Sequence, residues 1–203
     1  MRKITIMNTD LELSPMGMGC VNAGIKWDGE DAFRIFDAFL DMGGTVYDTA
    51  RVYSDWIPSE IGRSERVLGQ WLRQSGKRHD IVLLSKGGHP DMTPSVPDMH
   101  ASRISAENMR KDLELSLTAL GTDYIDIYFY HRDNEAIPAG ELIEIMLIEV
   151  YIPRYFFLHA ASLHQGFPHC AIFPTAAPVG VWAVSQSQCG RSPSQAGYGS
   201  SPW

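Results

Sequence analysis

Four times within residues 1–146, a short apolar run suited to a strand is followed by a stretch with the spacing of an amphipathic helix. The first run is LSPMGMGC, and a helix over about 29–42 follows it, with Phe33, Phe36 and Leu40 on one face and Gly43 just past its end. TVYDTA is the second strand. The helix after it is predicted to start near Ser64 as N-cap and to align Val67, Leu68, Trp71 and Leu72. IVLLSK is nearly all apolar. Ser105 is placed to cap the third helix, which carries Met109, Leu113, Leu117 and Leu120 and stops at Gly121. YIDIYFYH is the fourth strand, and PAGELIEIM opens a fourth helix with Pro138 in its first turn.

Continuous apolar strands alternating with helices mean a parallel sheet buried on both faces. Two architectures satisfy that pattern. A dinucleotide-binding doubly wound sheet carries Gly-x-Gly-x-x-Gly after its first strand. Here the first strand gives Gly17-Met18-Gly19-Cys20, with no third glycine and no phosphate-loop lysine. The expected fold class is therefore α/β, of the (β/α)8 TIM-barrel type. The pattern supplies only about four βα units, followed by an irregular tail.

Composition marks where the pattern ends. The formal net charge is −7, and residues 1–146 hold 23 acids and 15 bases. From Leu147 to Trp203 only Glu149, Arg154 and Arg191 are charged, while prolines stand at 153, 168, 174, 178, 193 and 202. Residues 1–146 therefore form one unit and 147–203 a low-charge tail whose end has the composition of a disordered segment. The acidic balance argues against nucleic acid or an anionic membrane as partner. No apolar run approaches the roughly 20 residues that span a bilayer, and MRKITIMNTDLELSP has no signal-peptide core. Cys20, Cys170 and Cys189 form no Cys-x-x-Cys pair, so neither a disulfide framework nor a structural metal site is expected, and a cytoplasmic location is the default.

Reactive side chains fall at the C-terminal ends of three successive strands. Asp48 ends TVYD, with Tyr53 in the loop beyond it; Lys86 ends IVLLSK; His131 ends YIDIYFYH. In a barrel these ends share one mouth. Singly, each has a plainer explanation: a helix cap, a half-buried aromatic, a solvated strand end, a surface loop. Jointly they form a recognisable acid. A carbonyl that accepts hydride becomes an alkoxide and needs a proton. A free phenol ionises near pH 10, and a neighbouring ammonium stabilises the phenolate it leaves behind. Lys86 is placed to supply that charge to Tyr53, Asp48 to pair with Lys86, and His131 to orient the carbonyl oxygen. The hydride must come from a cofactor. A lysine Schiff-base aldolase also places Lys at a strand end, but it has no need of the Asp48–Tyr53 spacing.

VYDTARVYSDW with SERVLGQWL, LLSKGG, DYIDIYFYHRDN and the opening LSPMGMGC together resemble the aldo-keto reductase family over roughly residues 11–146. The resemblance implies an oxidoreductase that uses NADPH, with NADH as the alternative, to reduce a small aldehyde or ketone. It makes Asp48, Tyr53, Lys86 and His131 the catalytic tetrad, with Tyr53 as proton donor. It also makes Gly19, Cys20 and Asp48 neighbours of the nicotinamide ribose. Beyond Met146 the family's Ser-Asn strand is absent, but WAVSQSQ at 182–188 resembles its sixth strand, which makes Gln186 the candidate carboxamide ligand. A tail translated partly out of frame reconciles the break with that island. The same resemblance admits two other readings: an inactive fragment of such an enzyme, and a cofactor-sensing regulatory subunit of the same fold.

Overall fold

A computed structural model describes residues 1–149 apart from 8, 58 and 59. The chain opens with a hairpin that periodicity did not disclose. β1 (Ile4–Thr5) and β2 (Glu12–Leu13) pair antiparallel, each too short to show an alternation. The pattern then runs as expected through β3 (Gly17–Gly19), α1 (Gly29–Asp41), β4 (Val46–Asp48), α2 (Arg63–Ser75), β5 (Val82–Gly87), α3 (Ala106–Leu120), β6 (Ile127–Tyr130) and α4 (Ala139–Glu149). A 3-10 turn, Lys77–Asp80, joins α2 to β5.

The four strands β3–β6 form one parallel sheet in the order β3-β4-β5-β6. Each new strand lies beside the one before it, and the order does not double back. That progression is how a barrel grows; a doubly wound sheet reverses at its switch point. The sequential order decides between the two architectures that the glycine pattern had separated less directly.

Local chemistry sets the helix ends. Asp28 caps α1, its carboxylate accepting from the Gly29 amide at 2.8 Å. Ser105 caps α3, accepting from the Asn108 amide at 3.2 Å, and Gly121 closes it with φ +66°. The expected cap at Ser64 is corrected. The N-cap position of α2 falls two residues earlier, at a left-handed Gly62, and the Ser64 hydroxyl donates to the Cys20 carbonyl at 2.7 Å. Ser64 therefore ties α2 to the end of β3.

The core lies between strands and helices. Tyr47 stacks on Trp71 at 5.3 Å, Phe36 and Phe39 close on the same cluster, and the Tyr47 hydroxyl donates to the Phe36 carbonyl at 2.7 Å. Tyr47, Leu83, Tyr128 and Tyr130 belong to this packed layer. Their strand neighbours Asp48 and Lys86 point the other way, because successive side chains of a strand alternate faces. Gly69 lets α2 approach the end of α3: a Cβ there would lie 2.5 Å from the Ala119 carbonyl oxygen. Gly69→Ala should destabilise the chain by about 1–3 kcal/mol, the usual cost of overpacking against rigid backbone. Urea unfolding with an unchanged m-value checks this; an unaltered midpoint would mean that the two helices separate freely.

Candidate active site

Hydrogen bonds place the loop after β4 before any side chain is considered. The Thr49 amide donates to the Leu84 carbonyl at 2.9 Å, and the Arg51 amide donates to the Lys86 carbonyl at 3.1 Å, so the loop stays zipped to β5 past the end of β4. The Arg51–Asp55 ion pair (3.1 Å) and the Gly62 amide on Asp55 (2.6 Å) close the loop. Ser54 adopts a left-handed φ of 78°, an uncommon conformation for a residue with a side chain. Tyr53 is carried on this fastened turn.

Lys86 sits at the centre, with 1% of its side chain exposed. Its ammonium is ion-paired with Asp48 and donates to the Thr49 carbonyl at 2.9 Å and to the Tyr53 hydroxyl oxygen at 3.2 Å. Three acceptors match its three N–H bonds, which is what makes a buried ammonium tolerable. Asp48 keeps 30% of its side chain exposed, so it faces open space while holding Lys86 from one side. The Tyr53 ring stands perpendicular to His131 at 5.6 Å. The four residues expected at the mouth are thus brought together.

His131 follows β6 directly, and its amide donates to the Gly87 carbonyl at 2.8 Å. Burial, then the charge of Lys86, then His89 and Arg132, hold its imidazole down to about 3, so the ring is neutral throughout the physiological range. Its Nδ1 is buried and has no hydrogen-bond partner among the described residues.

The glycine and cysteine beside Asp48 separate in role. Gly19 pairs in register with Asp48, and a Cβ there would meet nothing within 4 Å, so open space lies against the main chain at that point. Cys20 does not face that space. It is fully buried, its amide donates to the Asp48 carbonyl at 2.7 Å, and its carbonyl is occupied by Ser64. Burial pushes its thiol well up, out of the range of a reactive thiolate. The Cys20 side chain thus faces inward, while its amide braces the main chain of Asp48. Gln186 lies outside the described residues.

Two buried groups escaped the sequence reading. His89, three residues past Lys86, packs against His131 with ring centroids 4.6 Å apart. Its position just after a strand end was the available signal. Glu65 is completely buried in α2 and accepts from the Ser85 hydroxyl at 2.7 Å. Burial raises its carboxyl to about 7. Folded protein therefore keeps a proton that unfolded chain releases above about pH 4.5, so this contribution is full below that pH and lost as pH rises towards 7. Glu65→Gln, which cannot ionise, should gain on wild type by roughly 1–3 kcal/mol across that window. Parallel stabilities against pH for the two proteins would exclude it.

Residues 15–159 match the model of the aldo/keto reductase family. The chain belongs to that family. It is 34% identical over 143 residues to the uncharacterized oxidoreductase YrpG of Bacillus subtilis, covering 70% of this chain and 43% of that protein. It is 26% identical over 167 residues to the aldo-keto reductase yakc [NADP(+)] of Schizosaccharomyces pombe, covering 80% and 47%. Among solved structures, an aldo-keto reductase from Bacillus halodurans in its holo form superposes with a TM-score of 0.61 at 30% identity, covering 76% of this chain and 49% of that one. The chain thus spans under half the length of these relatives. The fold is that of the aldo/keto reductase (β/α)8 barrel, of which the described residues form four βα units. The family match runs past the composition change at Met146. No described helix is long and apolar enough to cross a membrane.

Proposed function

We propose that this aldo/keto reductase chain serves NAD(P)H-dependent reduction of a small aldehyde or ketone to an alcohol, with NADPH preferred. The observation that carries the reading is the Lys86 ammonium lying between the Asp48 carboxylate and the Tyr53 hydroxyl, 3.2 Å from the latter. The donor set fits the nicotinamide end of such a cofactor. Gly19 leaves open space beside a partly exposed Asp48, where a ribose and ring would lie. Positions for the carboxamide and the 2′-phosphate are not among the described residues. The preference for NADPH rests on the family and on the name of the S. pombe relative.

When bound, the reduced nicotinamide supplies hydride to the carbonyl carbon. The chain's own residues do the rest. His131, neutral, donates a hydrogen bond to the carbonyl oxygen and sets its direction. Tyr53 gives its hydroxyl proton to the alkoxide oxygen, so that one O–H bond breaks as another forms. Lys86 stabilises the phenolate left behind, Asp48 keeps Lys86 oriented, and solvent returns the proton to Tyr53.

The test is to incubate the chain with NADPH deuterated at the transferring C4 position and a simple aromatic aldehyde, then to analyse the alcohol by mass spectrometry. One deuterium on the carbinol carbon is expected. Micromolar NADPH binding with no alcohol would favour the cofactor-sensing reading. No binding at all would favour an inactive segment.

A further inference from the structure

His89 is held more firmly than a residue with no assigned task requires. Its main chain is clamped through Asp112 of α3, which accepts the Gly88 amide at 2.9 Å and pairs at 2.9 Å with Arg103 from the segment before that helix; Arg103 in turn donates to the His89 carbonyl at 2.8 Å. Its ring is fixed at both nitrogens. Nε2 accepts from Arg132 Nε at 3.2 Å. A guanidinium only donates, so the His89 proton must be on Nδ1, where the Pro90 carbonyl accepts it at 2.8 Å. The side chain is buried, with 9% exposure. Tautomer, rotamer and neutral charge are all specified.

The ring held in this way meets His131 edge to face, 4.6 Å between centroids and 66° between planes. Such contacts suit neutral rings, whose edge and face carry opposite partial charge. The buried Nδ1 of His131 has no acceptor among the described residues, and an orphaned N–H is rarer and costlier than an orphaned lone pair. The proton of His131 is therefore better placed on Nε2. The other charged or titratable groups packed on this ring are Lys86 from β5, Tyr53 from the β4–α2 loop and the adjacent Arg132. None of these offers Nδ1 an acceptor.

We propose that His89 is a positioning residue: its locked imidazole is the wall that holds His131 neutral, with the proton on Nε2, so that His131 presents a donor to the carbonyl oxygen. The functional half of this statement rests on the carbonyl-reductase reading; the state of His131 does not. His89 also anchors Arg132, whose Nε donates to its Nε2.

The experiment uses the full 203-residue chain, labelled with nitrogen-15 at histidine. The His131 signals are assigned by their loss in His131→Gln, and imidazole shifts are followed from pH 8 down to about 4. Wild type should show a neutral, Nε2-protonated His131 that does not titrate in this range. His89→Asn keeps a donor for Pro90 but removes the ring. It should move the His131 shifts towards a tautomer mixture and bring a midpoint into view, a rise of about one pH unit or more. His89→Phe restores an aromatic wall and should recover most of the wild-type signature. In any preparation that passes the deuterium test, His89→Asn should raise KM for the aldehyde about tenfold and leave NADPH affinity unchanged. The proposal is overturned by a wild-type His131 protonated on Nδ1 or titrating near its ordinary value. It is equally overturned if both variants leave the His131 spectrum untouched. Should His89→Asn fail to fold, His89→Gln, which also keeps a donor and removes the ring, takes its place with the same expected shifts. None of the spectra involves cofactor or carbonyl, so the state of His131 is decided independently of whether the chain reduces a carbonyl.

Discussion

Replacing Tyr53 by Phe will lower aldehyde turnover by about 100-fold or more while NADPH affinity stays within about twofold, the pattern of a lost general acid. The substitution removes one oxygen and keeps the ring. The perpendicular contact with His131 and the fastened turn from Arg51 to Gly62 therefore remain in place. What disappears is the hydroxyl that Lys86 reaches at 3.2 Å. The expected signature is a fall in kcat with little change in KM, because an interaction made in the transition state is lost and ground-state binding is not. The assay is stopped-flow NADPH oxidation on the preparation that passes the deuterium-transfer test. Turnover within about threefold of wild type would remove Tyr53 from the proton-donor role.

Lys86→Met should cost aldehyde turnover at neutral pH by about 100- to 10,000-fold, because the cation beside the departing phenolate is lost. Methionine matches the length and most of the volume of lysine, so the buried site stays filled. The charge does not remain, and the Thr49 carbonyl and the Asp48 carboxylate both lose their donor. Asp48 is open enough to recover water, which limits the structural damage. The two variants differ in kind. The Phe protein lacks the proton itself, whereas the Met protein keeps the proton and lacks the charge beside it. A Met variant that turns over within about threefold of wild type would show that Lys86 holds structure without assisting the acid.

Much of this architecture is legible in the sequence, for physical reasons. The stripe through Met109, Leu113, Leu117 and Leu120 has a helical period, a serine before it and a glycine after it, and α3 follows all three signals. Asp48, Lys86 and His131 stand out because the ends of parallel strands converge wherever a barrel is built. Ser64 misleads because a hydroxyl before a helical stripe looks the same whether it caps its own helix or bonds a distant carbonyl. His89 is hard to see for a different reason. Its partners are an arginine 43 residues away and a ring just beyond the end of another strand. The β1–β2 hairpin offers two residues per strand, fewer than any period needs.

Adjacent residues of β5 lead separate lives: Ser85 meets Glu65 on the helix side, and Lys86 meets Asp48 and Tyr53 on the other. Losing or gaining a single residue within that strand would exchange them, driving an ammonium among the helices and leaving a hydroxyl at the mouth. Length changes in a chain of this design are therefore confined to the segments between strands and helices. Those segments can diversify what the mouth admits, while the strands that carry Asp48 and Lys86 can be altered by substitution but not by insertion.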